Sequence, residues 1–181
     1  MLKKIMILSP EKNNDLLGTL VEFAYAEYGS ALEMLAAAKR AKSPKLKIGY
    51  IKHASDEYRH TALIFKVLSN QIERGVGKFK REYKFSPQNV VTKGYVDKDG
   101  FLVEKLSLKK FVEFVYANEF LAKESFDYLS KRIKDQKSIN TLNSFCSGNK
   151  FLFLKSPPIR VKGKLTSFFS GNSEIFETTK K

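Results

Sequence analysis

At 181 residues, 43% of them apolar, the chain suffices for one domain with a filled core and requires no second. Its single cysteine, Cys146, can form no internal disulfide and reads as a small core residue in a reducing compartment. A net charge of +14 favours solubility and phosphate contact, yet the basic clusters Lys39, Arg40, Lys42, Lys45, Lys47 and Lys78, Lys80, Arg81, Lys84 come without a base-reading motif or a ladder of aromatics.

Lys3 and Lys4 precede an apolar run, Ile5 to Leu8, that Ser9-Pro10 ends. The run is too short for a signal-peptide core or a membrane span, so a cytoplasmic protein with no membrane partner is expected. A first helix is expected from the capping residues Asn13 to Asp15 to about Lys42. Ser43-Pro44 starts the second, as N-cap followed by proline, and Gly75 ends it. So short a loop makes the two antiparallel neighbours.

From Val76 to Leu106 the helical period disappears, and Ser86-Pro87, Lys93-Gly94 and Asp97 to Gly100 are turn signals. The β-branched and aromatic residues from Val90 to Val103 predict a small hairpin about Asp99-Gly100, within a long crossover. A third helix runs from the cap at Ser107 to about Lys134, and a fourth from Asp135 or Ser138 through Ile139, Leu142, Cys146 and Asn149. Gly148 interrupts it and Pro157-Pro158 stops it. The expected fold is all-α, with a helical domain over 1–155 and an irregular tail over 156–181.

Heptad stepping isolates the polar residues that ought to face inward. In the first helix the seam is Leu17, Leu20, Ala24, Glu27, Ala31, Met34 and Ala38; in the second, Leu46, Tyr50, His53, Glu57, His60, Ile64 and Val67. In the third it is Leu108, Val112, Val115, Glu119, Ala122, Phe126, Leu129 and Ile133. Glu27, Glu57 and Glu119 thus fall at mid-length on three inward faces, with no Lys or Arg on any seam. Buried ionised carboxylates cost several kcal/mol each without compensation, and a cation is the simplest compensation. Carboxylates with imidazole suit iron, manganese or zinc. Asp56 steps off the seam toward solvent, Arg59 or Lys52, and Glu22, Glu33 and Glu124 read as surface charge. Tyr25, Tyr28, Tyr50, Tyr58 and Tyr116 lie near the cluster, as packing groups or as hydrogen-bond donors and redox-active side chains.

These residues resemble the ferritin-like superfamily of dimetal-carboxylate proteins, which includes rubrerythrins and bacterioferritins, over about residues 13 to 145. The resemblance implies a four-helix bundle with a long crossover, in which Glu27 is the first helix's ligand, Glu57 and His60 the second helix's Glu-x-x-His pair, and Glu119 the third helix's ligand. It also implies one or two iron ions, with manganese or zinc as alternatives, and oxidase, oxygenase or peroxide chemistry. Where a second Glu-x-x-His should stand, the chain has Asn149 and Leu152. Either the site is degenerate or the reading frame shifts near Cys146. His53, one turn before Glu57, is expected to substitute on the first metal or to support it from behind. A non-catalytic interaction module and an RNA-associated hydroxylase are the alternative functions. A homodimer, a redox partner or small-molecule substrate, and RNA remain open as partners.

Overall fold

Four long helices supply the core, and the shorter elements between the second and third are laid against the first. The structure, a computed structural model, describes residues 15–148. Asn149, Leu152, Pro157-Pro158, the tail and the expected boundary near 155 lie outside the described residues. The helices are α1 (Leu16–Arg40), α2 (Pro44–Glu73), α3 (Asn89–Thr92), α4 (Leu102–Lys105), α5 (Leu108–Arg132) and α6 (Gln136–Gly148), with a single 3-10 turn at Arg81–Tyr83. None of the described helices is long and apolar enough to cross a membrane.

Local chemistry sets the ends. Asp15 caps α1 by accepting from Gly18 N–H at 3.1 Å, while Lys39 and Arg40 lie in its last turn, where the helix dipole favours cations. Pro44 opens α2 after Ser43, as the sequence predicts. At the other end Gly75, with φ +73°, lets Val76 N–H reach Gln71 O and Gly75 N–H reach Ile72 O, both at 3.0 Å, which closes the helix in a Schellman motif. Ser107 caps α5, and Asp135 caps α6 through Ser138 N–H at 2.8 Å. Asp135 also accepts from Asn70 and Gln71, so the start of α6 is fastened to the end of α2.

Side-chain pairs give the helix directions. Ser30 meets Glu57 and Glu27 meets His60, so α1 and α2 are antiparallel. Tyr50 meets Phe111 and His60 meets Phe126, so α2 and α5 run the same way. Gln71 meets Ser138 and His60 meets Phe145, so α6 returns antiparallel to α2. The α1 seam is buried throughout, and its alanines allow α2 to approach closely. Along α5 the expected seam fails at its first residue: Leu108 is 58% exposed, and Phe111, fully buried against Tyr50, takes its place.

The hairpin expected about Asp99-Gly100 does not form. No strand occurs among the described residues, and Gly100, with φ +109°, ends a turn that leads into α4. Instead the two short helices bury Val90, Leu102 and Val103, the bend between them buries Val96, and the Leu102 amide finds its partner on α1. Glu33, expected on the surface, is buried and takes part in this arrangement. Phe101 precedes α4 and has no capping oxygen, so both carboxylate oxygens of Glu33 accept from Leu102 N–H at 3.0 Å. Burial raises the Glu33 carboxyl above its ordinary value, against the opposing pull of the Leu102 and Val103 amides. Replacing Glu33 by alanine leaves those amides buried and unpaired. The expected cost is about 1–3 kcal/mol, read by denaturant unfolding, with Glu33→Gln losing less.

Candidate metal centre

All five side chains singled out by the seams converge between α1, α2 and α5. They form two groups, Glu27 with Glu57 and His60, and His53 with Glu57 and Glu119, and within each group the ligand atoms lie within 4.8 Å of one another. Glu57 belongs to both. Helix spacing explains the sharing, because His53 lies four residues before Glu57 and His60 three after it, on one face of α2.

In the first group His60 Nδ1 is 3.0 Å from Glu27 Oε2 and 3.4 Å from Glu57 Oε2, and all three residues are at most 6% exposed. In the second, His53 Nε2 is 2.8 Å from Glu57 Oε1 and 2.6 Å from Glu119 Oε1. Of the two places expected for His53, the structure shows the one beside Glu57 and not one within the Glu27 group, and the ring also reaches Glu119 on α5. Ser30 Oγ, a residue that seam counting passes over, donates to Glu57 Oε1 at 3.1 Å. Arg59 Nη2 lies 3.1 Å from His60 Nε2, and because guanidinium only donates, the imidazole proton sits on Nδ1 and is given to Glu27.

Without a cation, protons compensate the charge. Burial raises Glu27 well above the ordinary carboxylate range, and the neighbouring charges of Glu57 and Glu119 add to the shift. Burial pushes Glu57 the same way, but hydrogen bonds from Glu27, His53 and His60 outweigh it and hold Glu57 far below that range. For His53, desolvation opposes the charged form, yet its bonds to Glu119 and Glu57 push it up to about 10. The surroundings thus favour the protonated form of Glu27, the ionised form of Glu57 and the cationic form of His53.

The donor set also fits a metal ion. With bonds of about 2.1 Å, donors 3.0 and 3.4 Å apart subtend about 90° and 110°, within the range of octahedral and tetrahedral coordination. Were His60 to hold an ion through Nδ1, its ring proton would sit on Nε2 and Arg59 would have to turn away. Asp56, off the seam as expected and 3.7 Å from Arg59 Nε, is its alternative partner. On the α6 side the cluster faces Phe145, whose ring lies 4.8 Å from that of His60 and 4.5 Å from that of Phe126. The two rings cover the first group on that side.

The tyrosines mostly pack. Tyr25 OH accepts from Ser86 N–H at 2.9 Å, Tyr28 and Tyr58 meet edge to face, and Tyr116 is 49% exposed. Of the carboxylates read as surface charge, Glu124 is exposed, whereas Glu22 is bound by Lys93 and Tyr95. The basic clusters are exposed at opposite ends of the α1–α2 pair, one at its connecting turn and the other beside Asp15. No protein-family model, curated protein or solved structure matches this chain.

Proposed function

We propose that the protein is a ferritin-like non-haem metalloprotein, with iron as its first candidate metal and redox chemistry as its activity. The observation that carries this reading is the buried Glu27, Glu57 and His60 group, set across two antiparallel helices with its ligand atoms within 4.8 Å. The parallel course of α2 and α5 supports a ferritin-like four-helix bundle with a crossover. Glu27, Glu57 and His60 would hold the ion, and bound iron would supply one-electron chemistry toward dioxygen or peroxide. Phe126 and Phe145 cover one side of the site, and Ser30 orients Glu57 by its hydrogen bond.

Ferrous iron added anaerobically to the purified protein is expected to remain bound after desalting, at one equivalent or more per chain. Air should then change its absorption spectrum. Glu27→Ala and His60→Ala should each lower the retained iron at least tenfold. A chain that retains no iron, manganese or zinc refutes the proposal.

The second reading is a bundle that uses no metal, with the cluster as a buried structural network. The complete set of proton-mediated contacts favours it, because the group is satisfied as it stands. It predicts that added metal changes neither retention nor stability. For RNA association, the separation of the two basic clusters offers no continuous charged track.

A further inference from the structure

We propose that the cluster holds two divalent cations, the second bound by His53 Nε2, Glu57 Oε1 and Glu119 Oε1, with Glu57 as the bridge between them. This rests on the reading of Glu27, Glu57 and His60 as the first position. It departs from the arrangement that the ferritin-like resemblance implies, because the second ion draws no ligand from α6.

Three features of the geometry point to it. First, the two oxygens of Glu57 address different histidines, Oε1 lying 2.8 Å from His53 and Oε2 3.4 Å from His60. A carboxylate placed between two nitrogen donors in this way is set to bridge two ions about 3.5–4 Å apart. Second, His53 and Glu119 bring an imidazole and a carboxylate of their own, from separate helices, to the free side of Glu57. Bonds of about 2.1 Å to donors 2.8 and 2.6 Å apart subtend about 85° and 75°, so a few tenths of an ångström of side-chain movement opens the position. Third, Ser30 holds Glu57 Oε1 from the α1 side, which fixes the plane of the bridging carboxylate.

The rival arrangement is a single cation in the first position, with His53 keeping its proton between Glu57 and Glu119. Its charge balances, since three carboxylates offset one dication and one imidazolium. Counting the ions therefore decides between them.

Manganese(II) is the probe, added to the full chain at pH 7.5 and followed by equilibrium dialysis with metal analysis and by electron paramagnetic resonance. Two ions per wild-type chain are expected. Because the bridge couples them, the six-line signal of isolated manganese should be lost at full loading. His53→Gln and Glu119→Gln should each retain one ion and recover the six-line signal, whereas His60→Gln should lose the first position and keep the second. Circular dichroism confirms that each variant is folded. Glu119→Gln, which keeps the size of the side chain and one oxygen acceptor, serves if His53→Gln does not fold. One ion in the wild type, with an equal count in both variants, overturns the second position and leaves the first standing. Two ions in the wild type and still two in His53→Gln and Glu119→Gln also overturn it, by placing the second ion elsewhere. No bound ion in the wild type refutes the underlying metal reading itself.

Discussion

Manganese(II) at a thousandfold excess over its dissociation constant should raise the unfolding midpoint by about 10 °C for each ion bound. The figure follows from linkage: a ligand bound only by the folded chain contributes about 4 kcal/mol per site at that excess, and about 2–4 °C accompanies each kcal/mol in a chain of this size. The unfolded chain scatters Glu27, Glu57 and His60 over two helices' length of sequence, so it offers the ion no comparable site. Glu57→Ala should abolish the shift, because both groups of ligand atoms include this residue. Glu124→Ala, at an exposed position of α5, should leave it intact. Differential scanning calorimetry with and without metal, followed by chelator, measures both variants against the wild type. An equal shift in Glu57→Ala would place the ion outside this cluster.

The seams made the cluster legible because helical period alone determines which side chains share a face. Glu27, Glu57, His60, Glu119 and His53 could be named from spacing, and the structure brings all five together. What spacing does not carry is direction across the core. His53 lies four residues from Glu57, close enough to serve either group, and only the position of α5 turns it toward Glu119. Ser30 and Arg59 were missed for a related reason: each reaches the cluster from just off the seam, by the length of its side chain.

The segment between α2 and α5 was read less well. Turn residues mark where the chain bends, and Gly100 does turn, but they do not say whether the flanking residues pair as strands or coil as short helices. The deciding partner was α1, which is covered on a second face. Glu22 binds Lys93 and Tyr95, Tyr25 stacks on Tyr95, and Glu33 caps α4. Between them is Gly29, where an added Cβ would lie 2.9 Å from Tyr95 O. These residues recur at helical spacing, and a glycine in mid-helix costs about 1 kcal/mol relative to alanine. Together they were the available signal that another segment lies close along this face. The α5 seam misled at Leu108 because the period marks a face, not how far along the helix a partner covers it.

The metal-free protein should lose stability as pH rises from about 6 to 10, and metal should restore it by an amount that grows over the same range. The sign follows from each group. His53 is raised from 6.5 to about 10, so its contribution is complete below 6.5 and is lost as the pH passes through 10. Glu27 is also raised, and its contribution declines from the ordinary carboxylate range upward as the folded chain is forced to give up its proton. Glu57 is lowered, so its contribution is present above 4.5 and disappears only in strong acid. These three groups place the metal-free maximum near the ordinary carboxylate value of 4.5 and a fall on the alkaline side, by several kcal/mol in order of magnitude once His53 is neutral. A cation reverses the slope, because it occupies the places of the protons on His53 and Glu27 and is favoured by their departure. Urea unfolding from pH 5 to 10, with and without manganese(II), reads both curves. In His53→Gln the metal-free decline between 6.5 and 10 should flatten. A decline that survives this substitution would assign the loss to other groups and remove His53 as the cluster's compensating charge.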